Sequence, residues 1–329
     1  MEFNRVIDFK EGKHDVITLG ELVVDFISSG YLQKEGSRLM KDIDSFSRHF
    51  GGSPGNIAVN LRALGLNPRI IAGVGEDFLG DYLLDFLHQR GVNLQGITRV
   101  KKDRTSIVFV SKSMKNPSFL ALRGSDKTLT HNEIQDKIVD EGKILHFTSW
   151  SLSHEPSRST ALRLLERAKE KGLKISFDPN FRGVLWEDPE EGRRLIKRIL
   201  PLIDIMKPSY DDAYNLFGAG HERQDSPEEY MESFLKHGTG LVILTLGEEG
   251  LLAGNGKKVL RLPSYGKLVV DTTGAGDAFW SGMYASLLRG YPLEKALRHG
   301  SYLSAYKLRY TGGIAPLPSF EDIIKKEEG

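Results

Sequence analysis

The chain has 329 residues, of which 40% are hydrophobic and 27% are charged, and its formal net charge is +1. These values are ordinary for a globular protein, and the near-neutral charge gives no reason to expect nucleic acid or a membrane surface as a partner. The chain contains no cysteine, which excludes disulfides, thiol catalysis and cysteine-bound metals.

The N-terminal segment is charged and lacks the apolar core of a secretory signal. No later apolar run approaches the roughly 20 residues of a membrane span, so a cytoplasmic protein is expected. Two short apolar runs, 16–19 and 22–27, flank Gly20 and Glu21 and predict the first strand region. Asp25 interrupts the second run, and the pattern alone favours a solvated acid at a strand end.

A helix is predicted between Pro54, near its start, and Gly65, just past its end. The apolar residues between them fall on one helical face. Gly51 and Gly52, just before this helix, would let the backbone approach a ligand. Asn56 on the first turn could form a hydrogen bond with a hydroxyl group.

From residue 69 onward, short β-rich runs alternate with helical runs. This alternation predicts one doubly wound α/β/α domain over residues 1–329, with a mostly parallel sheet between helices. The predicted strands are 70–74, 143–147, 173–177, 203–206 and 241–246, with a hairpin formed by 105–111 and 118–122. The predicted helices are 78–90, 156–171, 293–308 and 320–326.

Polar side chains follow the predicted strand 173–177. Open parallel sheets bind ligands outside the carboxyl ends of their strands, so Asn180 and Arg182 are candidate site residues by position alone. Arg182 offers a planar fork suited to phosphate oxygens, and the competing interpretation is a surface salt bridge.

A glycine-rich turn joins a strand-like apolar segment, 268–270, to a segment with helical spacing from 278 to 288. Gly274 and Gly276 allow a tight turn whose free N–H groups, at the positive end of the helix dipole, favour an anion. Asp277 stands in the same first turn and could accept a proton while the amides hold a phosphate, as phosphoryl transfer to a hydroxyl requires. Alternatively, Asp277 is only a partner of the helix dipole and the glycines only shape the loop.

Two other nucleotide motifs fit this chain poorly. No GxxxxGK[ST] sequence occurs, so there is no Walker A loop. Gly274, Gly276 and Phe279 form the pattern GxGxxF instead of the dinucleotide fingerprint. They also lie far from the N-terminal strand that this fingerprint usually follows.

The turn resembles the C-terminal signature of the ribokinase-like (PfkB) carbohydrate kinases at nearly every position of residues 271–282, which read Asp-Thr-Thr-Gly-Ala-Gly-Asp-Ala-Phe-Trp-Ser-Gly. Residues 50–65 are similar to the N-terminal signature of the same family. The resemblance covers residues 20–318, and segments 151–160 and 178–186 look most like the fructokinase branch.

The resemblance implies roles for individual residues. Asp277 would be the catalytic base, and the amides of Gly274, Ala275 and Gly276, with Arg182, would hold the charge on the moving phosphoryl group. The residues implied in sugar binding are Asp25, Gly51, Gly52, Asn56, Arg123 and Asn180. The residues implied in nucleotide binding are Lys207, Thr245, Gly247, Gly250, Ser301 and Gly313.

Two metal assignments follow from the resemblance. The family usually has Asn-x-x-Glu where this chain has Ser209 and Asp212, so Asp212 is a weakened candidate for organising Mg²⁺ through water, with Asp211 as a substitute. Asp271 and Thr273, with the loop 312–316, would hold a monovalent cation such as K⁺. The alternative is that Asp271 only braces the turn through hydrogen bonds.

The resemblance also implies a small β lid over the sugar, from residues about 26–50 and 104–123, and a homodimer formed through this lid. The expected activity is ATP-dependent phosphorylation of a sugar hydroxyl, with ATP, Mg²⁺ and K⁺ as cofactors and D-fructose, phosphorylated at C6, as the substrate. A kinase of a sugar acid such as 2-keto-3-deoxygluconate is the alternative, because Arg123 could pair with its carboxylate. A non-catalytic sugar or nucleotide sensor and a dinucleotide oxidoreductase are more remote alternatives.

Overall fold

The computed structural model describes residues 1–31, 41–112, 119–218 and 225–328, and these ranges contain thirteen strands and ten α-helices. The strands are β1 (His14–Leu19), β2 (Val23–Tyr31), β3 (Phe46–Gly51), β4 (Pro68–Gly75), β5 (Ile97–Val100), β6 (Ser106–Lys112), β7 (Phe119–Leu122), β8 (Gly142–Thr148), β9 (Lys174–Asp178), β10 (Ile205–Met206), β11 (Leu241–Thr245), β12 (Leu251–Gly254) and β13 (Val259–Leu262). The helices are α1 (Ser53–Ala63), α2 (Phe78–Gln89), α3 (Asp136–Asp140), α4 (Ser157–Glu170), α5 (Pro189–Ile199), α6 (Tyr210–Ala213), α7 (Pro227–Lys236), α8 (Ala275–Leu287), α9 (Leu293–Lys307) and α10 (Phe320–Glu328).

The large sheet has nine strands in the order β13-β12-β11-β10-β9-β8-β1-β4-β5. The strands from β11 to β5 pair in parallel, and β12 and β13 add an antiparallel edge. Helices α3, α4, α5 and α7 cover one face, while α1, α8, α9 and α10 cover the other. The strands are apolar along their length because both faces are buried, and the predicted doubly wound fold is confirmed.

Strand order reverses at β1, which lies between β8 and β4. Chain segments leaving the two neighbouring strands therefore diverge and open a crevice at the carboxyl edge of the sheet. The candidate ligand site is expected at this edge.

A second sheet of four strands, in the order β3-β2-β6-β7, stands beside this edge. Strand β2 pairs antiparallel with β3 and parallel with β6, while β6 and β7 form the predicted antiparallel hairpin. The strands come from the two segments expected to form a lid, of which 32–40 and 113–118 lie outside the described residues.

One strand prediction was confirmed with a refinement and one was wrong. The runs 16–19 and 22–27 lie almost entirely in strands, but they form two strands, β1 and β2, because the chain turns at Gly20 and enters the second sheet. Segment 268–270 is not a strand. Its side chains are exposed, and Val270 N donates to Leu308 O (2.7 Å) rather than to a sheet edge. In the described ranges, no helix combines the length and apolarity needed to cross a membrane.

Candidate active site

A cavity of about 750 Å³ lies between the carboxyl edge of the large sheet and the small sheet. Its walls join parts of the chain that are far apart in sequence: Asp25 and Val108 from the small sheet, Asn56 from α1, Asp178 from β9 and Asp277 from α8. The two sequence signatures therefore meet at one place.

Asp277 lies in the first turn of α8, which follows Gly274 in the left-handed conformation (φ 75°). Its Oδ1 accepts a hydrogen bond from Ser53 Oγ (2.5 Å), and its Oδ2 accepts one from Asn56 Nδ2 (2.8 Å). Burial raises the pKa of Asp277, and the bonds from Ser53 and Asn56 oppose that rise. The carboxylate is thus held in one orientation and poised to accept a proton.

The glycine-rich turn is tightly enclosed. A Cβ at Gly274 would overlap Gly313 O, and a Cβ at Gly276 would lie 3.2 Å from Lys207 Nζ. Only glycine fits at the first position, because its left-handed backbone already disfavours a side chain. The N–H of Ala275 donates to Thr272 O (3.2 Å), so this amide is engaged within the turn.

A buried cation lies beside Gly276. Lys207 Nζ forms an ion pair with Asp178 Oδ2 (2.8 Å), and Trp280 Nε1 donates to the same oxygen (2.9 Å). Asp178 therefore holds the ammonium group next to the turn, where it adds positive charge for a phosphate. Sequence reasoning named Lys207 but missed Asp178. The signal that selected Asn180, a polar residue at the carboxyl end of a parallel strand, applies equally to Asp178, the last residue of β9.

Asp25 is buried, with 8% of its surface exposed, and the prediction of a solvated strand-end acid was wrong. Burial raises its pKa to about 7, and the carboxylates of Asp277 and Asp271 add to this effect. A Cβ at Gly51, on the paired strand, would overlap the Asp25 carboxyl group. Gly51 thus makes room for Asp25 rather than for a ligand, while Gly52 lines the cavity with φ 98°.

Glu21 is a second buried acid in the cavity wall that sequence reasoning did not assign. It accepts hydrogen bonds from Ser53 N (3.2 Å) and Thr148 Oγ1 (3.4 Å). Burial raises the pKa of Glu21 to about 8, so its carboxyl group is largely neutral at pH 7. The Gly-Glu pair was placed within the first strand region by sequence, and nothing local indicated this burial.

Asn180 and Arg182 are exposed and line the cavity, as their position after β9 predicted. Arg123 is not among the lining residues. Its guanidinium pairs with Asp126 (2.6 Å) and lies 4.6 Å from the ring centroid of Trp150, which itself lines the cavity. Arg123 therefore packs against Trp150, a residue of the cavity wall, and is not itself part of that wall.

A second cavity of about 350 Å³ adjoins the first and shares five lining residues with it: Lys207, Thr245, Gly247, Thr272 and Gly276. Further lining residues are Gly250, Ser301, Val269, Phe279 and Leu308. The exposed apolar side chain of Val269 borders this cavity, which gives a physical reason for its exposure. These apolar surfaces suit a flat aromatic base, with phosphates directed toward the glycine turn.

Gly313, expected near the nucleotide, is not among the residues that line this second cavity. It packs between the turn and α1, because a Cβ there would lie 2.5 Å from Asn56 Nδ2. Its role in this structure is close backbone packing against the glycine turn.

Asp212 is an unsuitable magnesium ligand because its carboxylate is occupied by the protein. Oδ1 accepts from Phe181 N (2.7 Å), and Oδ2 accepts from Ser209 N (2.9 Å) and Ser209 Oγ (2.7 Å). Burial raises the pKa of Asp212. The neighbouring Asp211 is exposed and lines the cavity, so its oxygens fit a hydrated Mg²⁺ carried by phosphates.

The Asp271 carboxylate also accepts hydrogen bonds from the protein on both of its oxygens. Oδ1 accepts from the N–H (2.9 Å) and the hydroxyl (2.8 Å) of Thr273, and Oδ2 accepts from Gly312 N (2.7 Å). Lys307 Nζ donates to the main-chain oxygens of Asp271 (3.1 Å) and Tyr310 (3.1 Å). The two segments expected to enclose a monovalent cation are thus joined by the protein's own groups.

Comparison with known proteins supports a common origin for this arrangement. A family model described as pfkB family carbohydrate kinase matches residues 13–319. A protein of Thermoanaerobacterium thermosaccharolyticum, named ATP-dependent 6-phosphofructokinase, is 41% identical over 321 residues, which cover 98% of this chain and 96% of that protein.

Solved structures match over a similar extent. The fructokinase of Halothermothrix orenii has a TM-score of 0.77 and 38% identity, covering 92% of this chain and 99% of that chain. An uncharacterised sugar kinase of Pyrococcus horikoshii, in complex with ATP, has a TM-score of 0.81 and 32% identity, covering 95% and 98%. Each match covers more than nine-tenths of this chain.

Proposed function

The chain belongs to the pfkB family of carbohydrate kinases and is a sugar kinase, and we propose that it transfers the γ-phosphoryl group of ATP to the C6 hydroxyl of D-fructose. One observation carries this proposal: the buried Asp277 carboxylate lines the first cavity, and its neighbour Gly276 in the glycine turn lines both cavities. A sugar hydroxyl entering from one side and a γ-phosphate from the other would meet at this carboxylate.

In the proposed reaction, Asp277 takes the proton of the C6 hydroxyl as the sugar oxygen attacks the γ-phosphorus. The new P–O bond forms while the bond to the ADP oxygen breaks, and ADP leaves with the electron pair. The amides of Gly274 and Gly276 and the side chains of Lys207 and Arg182 balance the charge on the moving phosphoryl group. Asp211 would help to hold the Mg²⁺ that accompanies the ATP phosphates, and this ion would neutralise further phosphate charge.

The small sheet supplies the opposite wall. Asp25 would accept hydrogen bonds from sugar hydroxyls, and Asn56 and Glu21 would complete the polar side. Val108 and Phe119 present apolar surface to the carbon skeleton. Covering the sugar with this sheet would exclude water, which otherwise competes as the phosphoryl acceptor.

Fructose 6-phosphate, phosphorylated at C1, is a second candidate acceptor because the relative at 41% identity is named a 6-phosphofructokinase. Its phosphate needs a cationic partner. Within the described lining of the cavity, the cationic side chains are Arg182 and Lys207, and the proposed reaction already uses both for the phosphoryl group of ATP. This scarcity favours the unphosphorylated sugar.

The structure gives less support than the sequence did to a sugar acid as the substrate. The guanidinium of Arg123 already pairs with Asp126, donates to Ser153 Oγ (2.6 Å) and lies outside the cavity lining. A substrate carboxylate would have to displace these bonds. We therefore rank a sugar acid below both forms of fructose.

A coupled ADP-release assay tests the proposal on fructose, fructose 6-phosphate, glucose, ribose and 2-keto-3-deoxygluconate at equal ATP and Mg²⁺. We expect the highest kcat/KM for fructose, and NMR of the product should show phosphate on C6. A preference for fructose 6-phosphate of tenfold or more, about 1.4 kcal/mol, would replace fructose as the proposed substrate. Asp277→Asn serves as the control for contaminating kinases.

A further inference from the structure

Lys307, the last residue of α9, is completely buried, with 0% of its surface exposed. A buried ammonium group loses its hydration, so fully buried lysines are rare unless they are paired. Lys307 Nζ instead donates to two main-chain carbonyl oxygens, at 3.1 Å from Asp271 and 3.1 Å from Tyr310. A positive charge thus lies against two backbone oxygens, the ligand type that hard monovalent cations use.

The two carbonyl groups belong to the segments that shape the glycine turn. Asp271 leads into the turn, and Tyr310 leads to Gly312, whose N–H donates to Asp271 Oδ2 (2.7 Å). Gly313 O contacts the position where Gly274 would carry a Cβ. A shift of either segment would therefore move the amides that are proposed to bind the phosphoryl group.

The local charge keeps Lys307 protonated near neutral pH. Burial lowers the pKa of Lys307 to about 8, and the carboxylates of Asp271 and Asp277 oppose that fall. The ammonium group therefore contributes a positive charge behind the turn at physiological pH.

The side-chain oxygens expected to bind potassium are already engaged in this chain. Both side-chain oxygens of Asp271 accept hydrogen bonds from Thr273 and Gly312, and the Thr273 hydroxyl donates to Asp271. The main-chain oxygens of Asp271 and Tyr310 accept from Lys307. A metal ion would have to expel the ammonium group and leave its charge buried and unpaired.

We propose that the Lys307 ammonium occupies the place of a monovalent metal ion behind the glycine turn, so that this kinase carries a tethered cation and does not require K⁺. An ammonium group and K⁺ have the same charge and similar radii, so either can bridge the same carbonyl oxygens. Lys307 acts through the backbone of the turn and is a positioning residue. Its effect on turnover rests on the proposed kinase activity, whereas its occupation of the cation position does not.

The first test is turnover at fixed ionic strength, with K⁺ replaced by tetramethylammonium. The wild type should turn over equally fast in both salts. Lys307→Ala should lose on the order of 10²-fold in kcat in tetramethylammonium, because the turn is misplaced, with a smaller change in sugar KM. Adding K⁺ should restore much of that loss, which a purely structural role would not allow. Lys295→Ala, an exposed position on the same helix, is the matched control and should behave as wild type.

The second test does not depend on activity. Crystals of the wild type and of Lys307→Ala are soaked in Tl⁺, a monovalent ion with strong anomalous scattering. We expect a Tl⁺ peak between the Asp271 and Tyr310 carbonyl oxygens in the variant and none there in the wild type. If the alanine variant does not fold, Lys307→Met keeps the apolar stem and replaces it in both tests.

Wild-type turnover that falls when K⁺ is removed, or Tl⁺ bound at this position in the wild type, would overturn the inference. A variant that neither responds to K⁺ nor binds Tl⁺ would overturn it as well, because Lys307 would then be only structural. If no sugar is phosphorylated, the proposed function fails, while the Tl⁺ experiment still decides the cation position.

Discussion

Asn56 Nδ2 donates a hydrogen bond of 2.8 Å to Asp277 Oδ2, and these residues are separated by 221 positions in the chain. The bond joins the first turn of α1, beside the small sheet, to the first turn of α8, beside the glycine turn. Helix α1 therefore orients the proposed base as well as lining the sugar side of the cavity. In the proposed reaction, this contact joins the sugar side of the cavity to the base.

Asp277→Asn should reduce kcat by on the order of 10² to 10⁴ while sugar affinity changes little, because the amide cannot take the hydroxyl proton. The measurement is steady-state turnover together with calorimetric sugar binding. Asp85→Asn, an exposed acid on α2, is the matched control. Near-wild-type turnover in Asp277→Asn would remove this residue from the mechanism.

Asp25→Ala should raise the dissociation constant for the sugar roughly ten- to hundredfold, the loss of about 1.5–3 kcal/mol expected for a charged hydrogen bond. Nucleotide affinity should hardly change, because the residue lies on the sugar wall. Both affinities are measured by calorimetry. Equal losses for the two ligands would indicate misfolding, and an unchanged sugar affinity would show that Asp25 does not contact the sugar.

Sugar binding should depend on pH through Asp25. In the free protein, burial raises the pKa of Asp25 to about 7, and hydroxyl groups that donate to the carboxylate would lower it in the complex. Binding then releases a proton below pH 7, so affinity should rise by up to tenfold per pH unit below about pH 7 and level off above it. Calorimetry in buffers of different ionisation enthalpy measures the released proton.

In Asp25→Asn this proton release should vanish, since the amide does not titrate. Proton uptake on binding, or a pH dependence that persists in Asp25→Asn, would assign the effect to another group. Glu21 and Asp277 are then the next carboxyl groups to test, because both line the cavity and have raised pKa values.

Gly51→Ala should raise the sugar KM by on the order of tenfold, because the new Cβ displaces the Asp25 carboxyl group at a cost of about 1–3 kcal/mol. Its kcat should fall less than its affinity. Gly30→Ala, on the same sheet, has no atom within 4 Å of its added Cβ and is the matched control. If both variants behave alike, Gly51 does not act through Asp25.

Local patterns in the sequence were sufficient for most of the elements. Pro54 and Gly65 bracket α1, and the glycine turn opens α8 beside Asp277, as predicted. These features depend on backbone preferences and apolar spacing within a few residues, which a single stretch of sequence contains. The segment 268–270 was misassigned because three apolar residues resemble a strand whether or not a neighbouring strand exists.

Tertiary structure alone decided the ionisation and partners of the candidate site. Asp25 and Glu21 read as ordinary polar residues, yet packing between the two sheets buries both and raises their pKa values. Arg123 pairs with Asp126, and Lys307 donates to the main-chain oxygen of Asp271 behind the glycine turn. Desolvation and hydrogen-bond partners depend on which distant segments meet, and no local pattern in the chain contains that information.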